Sequence, residues 1–346
     1  MSPGRFNRHA RRELDALLRE GVLDADSHGL LAARYSVQRW DWRSLGRWFL
    51  IFGAISAVAG IGLLAREVFQ FTLEKLAVSL GLLTAGAFAA GWRLRVRRLH
   101  WAPRAAELAG GLLLIGLTFT LGIIYSTGSG NWPALLLIDL ALLLPLAYVL
   151  NNLLLLVLTL VVFFTWFGGV TGYVSGWGAY FFGMNYPLRF ALAGGAIALF
   201  GFLHRQAESG PLARYQGFFL VWLSGGVFFT EMALWLLSLF GNFGDIHDYH
   251  RSTAGELWLF NLVWAGANGL LLWLGGRYQL RMLRGYAITF LIIQGYTQYF
   301  WHVALLFGPV LGTFIAGAAA FGLLRWLERA RRPRDQDAEQ PGVGGA

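Results

Sequence analysis

Eighteen consecutive residues without a charge run from Trp48 to Ala65, directly behind Arg39-Trp40-Asp41-Trp42-Arg43-Ser44-Leu45-Gly46-Arg47. As a helix that run measures about 27 Å, close to the ~30 Å hydrocarbon core of a bilayer, and Trp and Arg favour the headgroup layer beside it. A short polar headpiece therefore passes into lipid at this point. The same device recurs down the chain, and ten apolar segments are expected: 47–65, 76–92, 105–125, 133–150, 153–170, 187–203, 217–239, 256–274, 285–301 and 305–325. The last two are separated by His302, Gly308 and Pro309, which also suit one kinked span followed by a re-entrant piece.

Composition agrees with a lipid solvent. Of the 346 residues 56% are hydrophobic and only 14% charged, where a soluble domain carries about a quarter charged. The net charge of +9 sits in clusters at the ends of apolar runs rather than along one soluble face, which argues against nucleic acid as a partner and for the bilayer. Ten crossings with the headpiece inside put 24 of the 28 Lys and Arg on the cytoplasmic side, leaving Arg66, Lys75, Arg189 and Arg251 outside. That partition obeys the positive-inside rule and predicts that both termini are cytoplasmic. Cysteine is absent, so disulfides, thiolate metal sites and cysteine nucleophiles are excluded. Met1 to Arg12 is basic and lacks the apolar stretch of a cleaved signal peptide, so the first span is expected to direct its own insertion.

Leu14, Leu17 and Leu18 share one face of a helix expected over Arg8 to Glu20, Gly21 suits its stop, and Asp24 suits the cap of a second helix ending near Tyr35. Two such pieces make a short cytoplasmic hairpin with too little core to stand alone, so residues 8–38 are expected to meet a protein partner, a second copy of the chain, or the side of their own bundle. The expected fold class is all-α: a hairpin domain over 1–45, a polytopic transmembrane helix bundle over 46–327, and a disordered tail over 328–346. Small residues four apart, at Gly53 and Ala57, Gly81 and Ala85, and Gly312 and Ala316, suit close helix packing in lipid.

The order of a Leu-rich hairpin around Gly21, then Tyr35, the Trp40-Asp41-Trp42 junction, a Gly-rich first span, Glu107-Leu-Ala-Gly-Gly111 and Ile124-Tyr125-Ser126 resembles a family of bacterial membrane proteins catalogued as a domain of unknown function, number twenty-one fifty-seven. The resemblance covers about residues 10–170 and implies a bacterial inner-membrane protein; it supplies no catalytic residue. The chain departs from the family pattern at Ile123-Ile124, where a glutamine is expected before the tyrosine.

A charged side chain at the centre of a span costs about 2.5–3.5 kcal/mol on insertion scales, so Asp139, Arg189 and Glu231 each need a reason. Glu231, in mid-span, suits a proton carrier, a contact for a cation, or a neutral structural acid. Asp139 lies six residues before Pro145, and an Arg189 salt bridge to either acid, across one outer-side cavity, is the default expectation. Glu107 beside Arg104 is expected to snorkel or cap at the cytoplasmic boundary. The outer loop brings Asp245, His247, Asp248 and His250 together, residue types that suit a divalent metal, but with no recognised metal spacing; no metal or cofactor is assigned. The aromatic run from Phe163 to Tyr186 suits an interfacial belt or a lid, and Asn261, Asn268, Gln294, Gln298 and His302 suit hydrogen bonds between the last spans.

No phosphate loop, dinucleotide fingerprint, HExxH pair or GxSxG elbow occurs, so no catalytic residue is assigned. The leading expectation is a non-enzymatic anchor, sensor or interaction protein working through its hairpin. A transporter or proton-coupled carrier using Glu231 and Asp139 is the alternative, and an intramembrane enzyme acting on a lipid-linked substrate through the outer loop is a third.

Overall fold

A computed structural model describes residues 10, 13–35, 42–67, 72–126, 130–174, 180–243, 252–304, 308, 311–315, 317–318, 321–322 and 325. The fold is all-helical, with no strand among the described residues and a single isolated bridge between Phe181 and Met184. The chain divides into two compact units, Met1–Tyr125 and Ser126–Ala346.

In the first unit, α1 (residues 13–19) and α2 (Ala25–Arg34) flank a turn at Gly21, whose φ of 71° suits glycine. The Asp24 carboxylate accepts from the Ser27 amide at 3.0 Å and caps α2, and a His28 ring nitrogen lies 2.8 Å from Asp15 Oδ1. Beyond come α3 (Trp42–Glu67), α4 (Leu73–Val96) and α5 (Ala102–Ile124). The Thr72 hydroxyl caps α4, and Pro103 opens α5 where no amide is needed. The two are clamped near their junction by a fork of hydrogen bonds, Arg95 Nε and Nη2 to Glu107 Oε1 and Oε2, both at 2.7 Å. Glu107 is buried, and a Cβ at Gly91 would stand 2.7 Å from its Cγ, so only glycine there admits the carboxylate. Glu107 is expected beside Arg104 at the boundary; the structure joins it to Arg95, twelve residues back across the turn.

The second unit holds α6 (Pro133–Val149), α7 (Leu153–Val174), α8 (Tyr186–Ala207), α9 (Phe218–Phe240), α10 (Ala254–Arg277) and α11 (Arg281–Gln298), which runs into a π turn over Tyr299–Ala304. Helices α8 and α9 touch backbone to backbone: a Cβ at Gly226 would meet Ala198 N at 2.3 Å, and one at Gly201 would meet Leu223 N at 2.4 Å. Such contact suits lipid, where apolar surface alone drives no association and packing must. At two of the three expected small-residue pairs the glycine does not make it. Gly53 faces open space, Gly81 makes only an ordinary contact at 4.0 Å, and Ala316 lies outside the described residues. Ala233, Leu237, Phe260, Trp264 and Phe290 form the core shared by α9, α10 and α11.

Among the described residues six helices are long and apolar enough to cross a membrane: α4, α5, α7 as far as Tyr173, α8, α9 and α10. Trp48–Ile61 within α3, and α6, are shorter apolar helices, and much of the tenth expected segment lies outside the described residues. Phe49 and Phe52 of α3 and Leu262 of α10 stand exposed, a surface that water would penalise and lipid does not.

Candidate functional site

Glu231 lies thirteen residues into α9, about 20 Å along the helix axis, with only 1% of its surface exposed. Trp264 Nε1 of α10 donates to its Oε2 at 2.7 Å, and the Asn268 side chain, one turn farther along α10, lies within hydrogen-bonding reach of the same carboxyl. Asn268 is fully buried; its Nδ2 donates to Trp264 O at 3.1 Å, and its Oδ1 has no partner. Among the described residues no cation pairs with Glu231. The expected salt bridge from Arg189 to this acid is absent because Arg189 is held elsewhere: its Nε donates to Asn185 O at 3.2 Å, its Nη1 to Thr171 O at 3.4 Å, and its guanidinium lies 3.9 Å from the centre of the Tyr186 ring.

Beside Glu231 opens a chamber of about 390 Å³ between α8, α9 and α10. Gly195 and Leu199 of α8, Leu223 and Val227 of α9, Leu270 of α10 and Leu283 of α11 contribute its walls, and Glu231 is their only charged residue. Leu199 and Leu270 are 59% and 54% exposed, so the mouth opens on the flank of the bundle. From Glu231 back to Leu223 the chamber follows about 12 Å of α9. Its volume falls within the ~300–1,000 Å³ range of small-molecule sites. Asp139 is fully buried on α6 and, like Arg189, is not among the walls, so the three intramembrane charges do not share this cavity.

Two buried polar junctions close opposite ends of the α8–α9 pair. At the α8 C-terminus Tyr148 Oη lies 3.0 Å from His204 Nε2, and His204 Nδ1 lies 2.9 Å from Glu208 Oε1. The same carboxylate accepts from the Gly217 and Phe219 amides at 2.8 Å each, satisfying the open amides of α9, while Trp222 Nε1 donates to Tyr148 Oη at 3.1 Å. At the other end Asn185 N donates to Asn242 Oδ1 and Asn185 Nδ2 to Gly241 O, both at 2.7 Å, and the Asn242 and Phe243 amides donate to Glu256 Oε1. The last spans are stitched by Gln298 Nε2 to Asn261 Oδ1 at 2.6 Å and Gln294 Nε2 to Asn261 O at 2.9 Å.

Sequence reading passed over Tyr148, His204 and Glu208. Its available signal was the four-residue spacing of His204 and Glu208 just before a loop, which puts both on one helix face. Trp264 had no local signal, since it lies 33 residues from Glu231. Asp245, His247, Asp248 and His250 lie outside the described residues, and among the described residues no group of three or more His, Asp or Glu side chains could hold a metal ion. Compared with protein-family models, with curated proteins and with solved structures, the chain has no match.

Proposed function

We propose that this chain is a multi-pass carrier of a bacterial inner membrane that holds its cargo in the chamber beside Glu231 and exchanges a proton at that carboxyl. One observation carries the reading: a buried acid with no counter-charge among the described residues, braced by Trp264 and Asn268, forms the one charged point on the wall of a largely apolar chamber well inside α9. An acid kept only for packing needs no cavity beside it. Ten spans with both ends cytoplasmic fit the distribution of basic residues, and kinship with the resembling bacterial family fits the pattern over about residues 10–170.

A second role, docking of a protein partner or a second copy through an α1–α2 hairpin, is favoured by the Asp15–His28 contact and by the exposure of Val22 and Leu30. It is compatible with transport, because it uses the other unit.

Native mass spectrometry of the full chain, gently extracted from its own membrane, tests the carrier reading. The wild-type protein is expected to retain a small molecule that is not a bilayer phospholipid, and Gly195→Leu, which fills the chamber where a Cβ meets nothing within 4 Å, is expected to lose it. A bare wild-type protein, or an adduct unchanged in Gly195→Leu, contradicts it.

A further inference from the structure

The walls of the chamber restrict what it accepts. Leucines, valine and small residues line it, so the body of a ligand must be apolar. Its charged wall residue is an acid, and a carboxylate left alone at this depth is expensive. Two things relieve that cost: a proton on Glu231, or a cation brought by the ligand. The Asn268 side chain stands beside the carboxyl, and its Oδ1 is a buried acceptor with no partner. The cation has a way in, because the mouth lies between the exposed side chains of Leu199 and Leu270 rather than at an aqueous end.

Resting on the carrier reading, we propose that the cargo is a hydrophobic organic monocation, a bulky ammonium or phosphonium, which enters from the lipid between Leu199 and Leu270 and displaces the proton of Glu231. The exchange balances: the carboxyl O–H bond breaks, the proton goes to water, the ligand's positive charge takes its place, and the chamber is neutral before and after. Among the described residues no charged group bonds to Glu231. The titratable groups on the packed helices are Tyr173 of α7, Tyr186, Arg189, His204 and Arg205 of α8, Glu256 and Arg277 of α10, and Arg281, Arg284, Tyr286 and Tyr296 of α11, and none is a bonding partner of Glu231. Arg189 is occupied at the α8 N-terminus, Glu256 accepts from Asn242 and Phe243, and the Tyr286 hydroxyl is 2.8 Å from Ser224 Oγ.

The full-length protein in nanodiscs of phosphatidylcholine, which carries no net charge, provides the test, with tetraphenylphosphonium as cationic probe and triphenylphosphine oxide as neutral probe of similar shape. Wild type is expected to bind the cation more tightly as pH rises from about 5 to about 9, by up to roughly tenfold per unit wherever the proton must leave first. Glu231→Gln is expected to weaken cation binding at least about tenfold, the loss of one favourable charge contact, and to remove the pH dependence while leaving the neutral probe unchanged. Gly195→Leu is expected to abolish binding of both probes. Neutral binding as tight as cationic binding, or cation binding indifferent to Glu231→Gln, overturns the assignment of a cation and leaves a chamber that binds something else. No binding of either probe by wild type, with Gly195→Leu indistinguishable from it, overturns the carrier reading as well. Retained binding of the neutral probe by Glu231→Gln also shows that the variant is folded.

Discussion

Glu231 and Trp264 show how a single buried pair gives a membrane helix its orientation. The indole of α10 satisfies an acid of α9 at 2.7 Å, and removing either partner leaves the other in a region without water. Trp264→Phe is expected to lower stability by about 1 kcal/mol, near the size of hydrogen bonds measured between spans. In the Glu231→Gln background the loss is expected to persist, since the glutamine carbonyl accepts the same bond, whereas with Glu231→Leu it should shrink to near zero. A double-mutant cycle on denaturation midpoints in detergent checks this, and strict additivity with Glu231→Leu would contradict the pairing. A second residue-level expectation concerns Asp24. The Ser27 side chain and amide hold its carboxyl below the usual aspartate value. A lowered folded value means that the cap's contribution is complete above about pH 3.9, the unfolded value, and is lost as pH falls through the folded one. The protection factor of the Ser27 amide, the slowing of its exchange relative to an unprotected amide at the same pH, should fall below about pH 4 in the wild type and lose that dependence in Asp24→Asn. Glu231 was legible in the sequence because charge inside an apolar run is conspicuous; Trp264 was not, because any of the fifteen tryptophans reads alike as belt or core.

At the level of elements, α8 and α9 form the rigid wall against which the chamber opens. Their approach depends on glycines whose missing Cβ is replaced by backbone of the opposite helix, with Leu223 N only 2.4 Å from the position of a Cβ on Gly201. Gly201→Ala is expected to destabilise by about 2 kcal/mol through overpacking, whereas Gly195→Ala, facing open space six residues earlier, should change stability by less than about 0.5 kcal/mol. Thermal denaturation of the two variants side by side checks the pair, and equal effects would contradict the packing. Hydropathy marked where these helices run, because a span is defined by what it leaves out. It did not mark which of 45 glycines face a backbone, because a glycine in a lipid-exposed helix and one at a crossing have the same neighbours in sequence. The Tyr148–His204–Glu208 junction was hidden for a related reason: polar residues at a helix end read as interface residues until a loop folds back to donate the Gly217 and Phe219 amides.

For the whole molecule, the proposed topology puts both ends in one compartment and the connecting loops alternately on the two faces, with the chamber in the second unit. The native sequence contains no cysteine, so single cysteines can be added without removing any. A cysteine at Ser209, between α8 and α9, is expected to react with an impermeant maleimide only when the cytoplasmic face is opened, and one at Asn131, ahead of α6, in intact cells. The reverse pattern would invert the topology, and labelling of both from one side would remove a span between them. The proposed alternation rests on Lys and Arg alone, whereas the chamber had no signal in the sequence, since a cavity is a property of several helices together and leaves no pattern in any one of them. The most direct measurement of the central claim is a high-resolution density map of the protein in a disc of its own membrane lipids. The account predicts density that is not protein in the chamber, in contact with the Glu231 carboxyl and absent from Gly195→Leu. A chamber closed by its own side chains, or filled by bilayer tails that stop short of Glu231 in both proteins, would contradict it.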